Sequence, residues 1–159
     1  MHSRFDTPAP RQVRPGEHPL WDEALALLNR DIAATLPEQR PLRLMAQRWE
    51  DGGPEHVYVA LDNGEWWGQP LSSEFADTPP SALAAVAEGA QDTVTERLWQ
   101  AWPICAEHDL GMHLDEADGR PVWRCVGRPG RDPEHVRAAV GELDTLTRGR
   151  ATRSGPSPT

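Results

Sequence analysis

Residues 79–103, PPSALAAVAEGAQDTVTERLWQAWP, carry the strongest structural signal in this sequence. The paired prolines fit the first turn of a helix, where a backbone N–H is not needed, and Pro103 ends the pattern. Between them, apolar side chains recur every three or four residues: Leu83, Val86, Ala87, Ala90, Val94, Leu98 and Trp102. The stretch therefore predicts a long helix with one buried face.

Residues 19–36, upstream of this stretch, predict a shorter helix. Its apolar face is formed by Trp21, Leu25, Leu28 and Ile32, which are spaced four, three and four residues apart. Pro37 ends the helical pattern.

Residues 42–68 predict a sheet between the two helices. Apolar side chains alternate loosely over 42–49 and clearly over 56–61, and a third strand is expected at 65–68. Asn63-Gly64 favours a type I′ hairpin turn, in which both central residues need positive φ. These three strands are expected to form an antiparallel meander. Trp66 and Trp67 are adjacent on the third strand, so one of them is expected to be exposed.

Residues 104–127, ICAEHDLGMHLDEADGRPVWRCVG, change in character and predict a β-hairpin around a turn at 116–119. Beyond it, Asp132 and Pro133 resemble the cap and first position of a short helix. Val136, Val140 and Leu143 would form the buried face of this helix.

Both cysteines of the chain, Cys105 and Cys125, fall in this region. The spacing Cys105-x2-His108 lets a thiolate and an imidazole bind one cation, and a hairpin would return Cys125 beside them. Tetrahedral zinc needs four such ligands, and His135 is the expected fourth, with His113 as its competitor. The sequence therefore predicts a zinc-knuckle-like hairpin with the metal ligands Cys105, His108, Cys125 and His135.

Other interpretations of the two cysteines remain open. They could be buried thiols with surface histidines nearby, or a disulfide, although disulfides are rare in a reducing cytoplasm. A nucleophilic Cys105–His108 pair would need a lowered thiol pKa and a third, orienting group. The sequence contains no HExxH, no GxSxG, no glycine-rich nucleotide motif and no lysine, which excludes Schiff-base chemistry.

Charge is unevenly distributed along the chain. The net charge is −9, and residues 41–126 contain fifteen acidic residues but only five arginines. This balance disfavours binding to nucleic acid and suits either a basic protein partner or solubility alone. No apolar run is long enough to cross a membrane, and the N-terminus lacks the apolar core of a signal peptide, so a cytoplasmic location is expected.

Together these signals predict an α+β fold: helix, three-stranded antiparallel meander, long helix, then a zinc-knuckle-like β-hairpin and a short helix. The expected organisation is a disordered arm over 1–18, an α+β core over 19–102, the hairpin plus helix packed on it over 103–147, and a disordered tail over 148–159. The 45-residue hairpin unit buries too little surface to be stable alone, so a metal or the long helix must support it.

Three short elements resemble a group of small uncharacterised actinobacterial proteins. They are WPICAEH (102–108), VWRC (122–125) and AVGEL (139–143), which match a WPxCxxH, a WxC and a VGEL pattern. The resemblance covers residues 98–143 and implies a zinc-knuckle-like module without an assigned activity.

The function expected from the sequence is that of a non-enzymatic zinc-binding module that binds a protein partner. One alternative is an acidic inhibitor or immunity-type protein that covers a basic partner. Another is a metal-dependent hydrolase, which would need three protein ligands and an open coordination position in a cleft.

Overall fold

The computed structural model describes residues 9–49, 53–72 and 77–143 of the 159-residue chain. Within them, helices α1 (Pro19–Thr35) and α2 (Pro79–Leu98) pack against each other. The strands are β1 (Arg11–Gln12), β2 (Arg43–Arg48), β3 (Glu55–Ala60), β4 (Ile104–Cys105), β5 (Leu110–Gly111), β6 (His113–Ala117), β7 (Arg120–Cys125) and β8 (His135–Ala139). They form antiparallel sheets with the orders β1-β2-β3, β4-β5 and β6-β7-β8. The α+β class is thus as predicted.

Helix α2 begins at a capped N-terminus and packs its apolar stripe into the core. The Thr78 hydroxyl oxygen accepts a hydrogen bond from the Ser81 backbone N–H at 3.3 Å. A Cβ atom on Gly89 would lie 3.1 Å from Val59 Cγ2, so the glycine allows α2 to approach β3 closely. Gly89 lowers the intrinsic stability of the helix relative to alanine, but it allows this close contact with β3.

The C-terminal end of α2 differs from the prediction. The helix ends at Leu98, because the next residue, Trp99, adopts a left-handed conformation and is 88% exposed. Trp102 is buried for a different reason: it lies in the following segment, and its indole N–H donates to Thr35 Oγ1 at 2.9 Å.

The predicted meander is correct for two of its strands. Over residues 61–72, the segment after β3 forms an isolated bridge between Ala60 and Trp66, and the Leu71 N–H donates to Val57 O at 2.7 Å, but the segment contains no strand. Beyond the bridge the Trp67 N–H donates to Thr93 Oγ1 on α2 at 3.1 Å, and Gly68 has φ +94°, so the chain leaves the sheet for the helix. The third strand expected at 65–68 is therefore wrong.

The turn between β3 and Trp66 also differs from the predicted type I′ geometry. Gly64 has positive φ whereas Asn63 does not. The Gly64 N–H donates to Leu61 O at 2.9 Å, and the Leu61 N–H donates to Glu65 O at 2.8 Å. This pattern is a three-residue loop with glycine in the left-handed position.

The third strand of this sheet comes from the N-terminal segment and pairs with β2. Arg11–Gln12 form β1 and pair with Ala46 and Met45, so the disordered arm expected over 1–18 is wrong at these residues. Residues 1–8 and the tail expected over 148–159 lie outside the described residues.

Within the described residues, the C-terminal region contains a β-hairpin at the predicted turn, and residues 132–142 do not form the predicted short helix. β6 and β7 pair around a turn at Asp118-Gly119, where both residues have positive φ. Residues 135–139 form strand β8 instead of a helix, because they pair with β7 through Ala138 and Ala139 opposite Trp123 and Val122. One continuous apolar core contains side chains from both helices, the first sheet and the C-terminal strands.

No helix among the described residues is long and apolar enough to cross a membrane.

Candidate metal centre

Three short elements position the cysteines and histidines singled out in the sequence. Cys105 ends β4, and the turn that follows it is closed by the Asp109 N–H, which donates to Cys105 O at 2.8 Å. This turn places His108 beside Cys105. Cys125 ends β7 and lies opposite His135, the first residue of β8, in the antiparallel ladder.

The four side chains converge on one point. One ligand atom from each of Cys105, His108, Cys125 and His135 lies within 4.8 Å of all the others. His108 Nδ1 lies 3.6 Å from Cys105 Sγ and 3.4 Å from Cys125 Sγ. His135 Nε2 lies 3.8 Å from Cys105 Sγ. The structure thus brings together the four residues that the sequence analysis selected.

The cluster is shielded from solvent on its sulfur side. Both cysteines are fully buried free thiols, and the His108 side chain is 8% exposed. Burial raises the pKa of the Cys125 thiol, an effect opposed by the hydrogen bond from the Gly127 N–H. A buried thiol in such a place stays protonated unless a cation at the same point stabilises its thiolate.

Each histidine presents one ring nitrogen to the sulfurs and the other to an oxygen atom. His108 Nε2 lies 3.5 Å from Asp132 Oδ2, and His135 Nδ1 lies 3.5 Å from Pro133 O. Metal-bound histidines usually have such a carboxylate or carbonyl partner, which fixes the ring and its tautomer. Arg128 holds Asp132 through its Nε at 2.9 Å and keeps the pKa of that carboxyl below its usual value.

Gly127 shapes the backbone beside Cys125. Its N–H donates to Cys125 Sγ at 3.4 Å. Its φ is +71°, and a Cβ atom there would lie 2.6 Å from Asp132 O, so another residue would displace the segment that carries His135. The glycine therefore permits the chain to turn back between Cys125 and His135.

His113, the competing fourth ligand, lies elsewhere. It is exposed at the start of β6, opposite Arg124, and it is not a member of the cluster. Sequence analysis missed two residues that contact the clustered side chains, Asp132 beside His108 and Gly127 beside Cys125. Asp132 was interpreted as a helix cap, and only its position between Cys125 and His135 could have suggested a role at the site.

Two surface cavities among the described residues, of about 380 and 330 Å³, include none of the four clustered side chains. Comparison of the chain with protein-family models, curated proteins and solved structures found no match.

Proposed function

We propose that Cys105, His108, Cys125 and His135 bind one structural zinc ion, and that the protein is a zinc-stabilised module that binds a protein partner. The observation that carries the metal site is the set of sulfur–nitrogen distances. Tetrahedral zinc, with bonds of about 2.3 Å to sulfur and 2.0–2.1 Å to nitrogen, separates such atoms by about 3.6 Å. Three of the four corresponding distances here are 3.4, 3.6 and 3.8 Å, and the fourth, between His135 and Cys125, lies within 4.8 Å.

The donor set favours zinc in a structural role. Two sulfur and two nitrogen donors in a tetrahedral arrangement are typical of zinc, whereas magnesium and calcium prefer oxygen ligands. Four protein ligands also fill the tetrahedron, and a catalytic zinc keeps one position for water or substrate. No observation favours the hydrolase alternative over a structural site.

The ion would connect two short segments to the C-terminal sheet. β4 and β5 are two residues each, and the 126–134 segment between β7 and β8 contains no helix or strand. A metal bound by β4, the turn after it, β7 and β8 would fasten these short segments to the sheet in which β7 and β8 pair. The proposal includes a cytoplasmic location, because zinc–thiolate sites need reduced cysteines.

Metal analysis of the purified protein tests the site. We expect one zinc per chain and its loss in both Cys105→Ser and Cys125→Ser, because a hydroxyl is a poor replacement for a thiolate ligand. His135→Ala should weaken zinc binding, while the matched variant His113→Ala should retain one zinc.

Substitution of cobalt for zinc gives an independent test. Tetrahedral cobalt with two thiolate ligands should show strong visible absorption and a sulfur-to-metal charge-transfer band. Full zinc content in either cysteine variant, or equal zinc loss in His113→Ala and His135→Ala, would contradict the assignment.

A further inference from the structure

The two cysteines of the proposed zinc site also form an isolated pair of thiols. The 159-residue chain contains two cysteines. Both are fully buried, and no disulfide joins them. A disulfide within one chain of this protein would therefore have to join Cys105 to Cys125.

The two sulfur atoms are close enough to bond after a small movement. They lie within 4.8 Å of each other, and both contact the same atom, Nδ1 of His108, at 3.6 and 3.4 Å. A disulfide needs a separation of about 2.05 Å, so the sulfurs must approach each other by at most about 2.8 Å. Cys105 ends the two-residue strand β4, so a shift of this size does not require β7 to leave its sheet.

Zinc binding and disulfide formation exclude each other at this cluster. Zinc needs both sulfurs as thiolates, and the thiolate is also the form of cysteine that reacts with oxidants. A disulfide sulfur carries no charge and is a poor metal ligand. Oxidation would leave only His108 and His135 as donors, whereas a structural zinc ion needs four. Oxidation should therefore expel the metal.

The segment 126–134 controls access to the buried sulfurs. It is mostly exposed and contains no helix or strand, yet it contacts two of the ligands. The Gly127 N–H donates to Cys125 Sγ at 3.4 Å. Asp132 Oδ2 lies 3.5 Å from His108 Nε2. A segment held by so few contacts opens at a lower cost than a paired strand, and its opening would expose the sulfurs.

We propose that the cluster is a redox switch in which a peroxide oxidises Cys105 and Cys125 to a disulfide and the zinc ion leaves. The inference rests on the proposed zinc site and adds a regulation of that site. Reduction of the disulfide restores both thiolates, so the zinc ion can bind again.

The oxidation needs a two-electron oxidant, here hydrogen peroxide or an organic hydroperoxide. One thiolate attacks the O–O bond and becomes a sulfenic acid, and the rest of the peroxide leaves as hydroxide or alkoxide. The second thiolate attacks that sulfur, forms the S–S bond and expels hydroxide. The two thiolates together lose two electrons to the peroxide. Two protons from solvent convert the expelled anions to water or alcohol, and Zn²⁺ leaves with its charge unchanged.

The disulfide would keep β4 attached to β7 but release the two histidines. Without the metal, the turn that carries His108 and the first residue of β8, His135, lose their common ligand. Oxidation should therefore change the surface formed by residues 126–135 while the strands on either side stay linked.

Peroxide treatment of the zinc-loaded protein tests the switch. A chromophoric indicator measures the released zinc, and mass spectrometry of the intact chain and its peptides identifies the state of both cysteines. We expect one zinc ion released for each disulfide formed within a chain, and full zinc binding after reduction and addition of zinc. Retention of zinc, a disulfide between two chains, failure to rebind zinc, or zinc loss with sulfinic or sulfonic acid in place of the disulfide would overturn the proposal.

Arg128→Ala tests access through the 126–134 segment. Arg128 Nε donates to Asp132 at 2.9 Å, so its loss should favour opening of the segment. Zinc release at the same peroxide concentration should be about two- to fivefold faster, the range expected for one exposed ion pair. The matched control is Arg131→Ala, because the Arg131 side chain has no hydrogen bond or ion pair with the described residues. Equal rates for the two variants would overturn this route of access.

The zinc content before treatment keeps the two proposals separate. A protein that binds no zinc but forms the disulfide would overturn the zinc site, and the release step with it. A zinc-loaded protein that forms no disulfide would overturn the redox switch and leave the zinc site intact.

Discussion

The buried carboxylate of Asp31 connects α1 to the C-terminal end of the described chain. Its Oδ2 accepts hydrogen bonds from Trp123 Nε1 at 2.9 Å and from the Gly141 N–H at 2.7 Å. Its Oδ1 accepts from the Leu143 N–H at 2.9 Å. Asp31 and Trp123 are fully buried, so these hydrogen bonds form away from water, where an unpaired donor is costly.

We expect Asp31→Ala to destabilise the protein strongly. The variant would remove the carboxylate that accepts hydrogen bonds from three buried donors, and each such loss costs about 1–3 kcal/mol, so a decrease of about 3 kcal/mol or more in the free energy of unfolding is expected. Denaturant unfolding measures it. The control is Glu23→Ala, which removes an exposed acid from the same helix. Similar stability of the two variants would contradict the role assigned to Asp31.

The proximity of side chains that have a strong preference for metal ions was predictable from the sequence. The role of Asp31, which depends on tertiary contacts, was not. The clustering of Cys105, His108, Cys125 and His135 followed from cysteine and histidine spacing, because a Cys-x2-His turn and a hairpin can bring such side chains together. Asp31 lies beside Leu28 and Ile32 on the buried side of α1, yet nothing local reveals the donors of Trp123 and Gly141, which are far along the chain.

Single elements show the same dependence on distant contacts. α2 was predictable because its stripe, its cap and its prolines all agree locally. β8 was not, since Val136, Val140 and Leu143 have helical spacing. Pairing with β7, including a register shift between Trp123 and Arg124, determines its strand conformation.

Strand β1 is held on its sheet by a charged anchor. Arg11 donates to Glu17 at 2.8 Å and to Glu55 at 2.7 Å, and the Val13 N–H donates to Leu44 O at 3.0 Å. The hydrogen bonds from Arg11 lower the pKa of Glu17 from 4.5 to about 2 and lower that of Glu55 as well.

Acid should therefore release β1. Because the folded-state pKa of Glu17 is depressed, its contribution is complete above pH 4.5 and is lost as the pH falls toward about 2. We expect the hydrogen-exchange protection of the Val13 amide to decrease over this range. Glu17→Gln should abolish most of this pH dependence at Val13, and Glu23→Gln should retain it. Protection at Val13 that is constant from pH 5 to 2 would contradict the anchor.

At the scale of the whole molecule, the proposed zinc unit and the helical part share one core. Trp102 and Trp123 meet edge to face, with ring centroids 5.4 Å apart, and both are buried. Gln91 on α2 reaches the backbone of Trp102 and Met112, and Asp31 reaches Trp123. The division into units at 19–102 and 103–147 stays a prediction, but these contacts make independent unfolding of the two parts unfavourable.

Removal of zinc should accordingly lower the stability of the entire described fold. Free zinc at about 1,000 times its Kd stabilises the native state by about 4 kcal/mol. For a chain of this size, each kcal/mol of lost stability lowers Tm by about 2–4 °C. Chelation should therefore lower Tm by about 8–16 °C.

Calorimetry of the protein with and without a chelator measures this effect. We expect one cooperative transition in both samples, because buried Trp102 and Trp123, together with the Asp31–Trp123 hydrogen bond, couple the C-terminal strands to the helices. Cys125→Ser should have the same Tm as the unmodified protein measured with chelator, and the chelator should not lower the Tm of this variant further. His113→Ala should behave as the unmodified protein does. Two separate transitions after chelation would show instead that the strands from 103 onward unfold alone, and that the zinc stabilises only them.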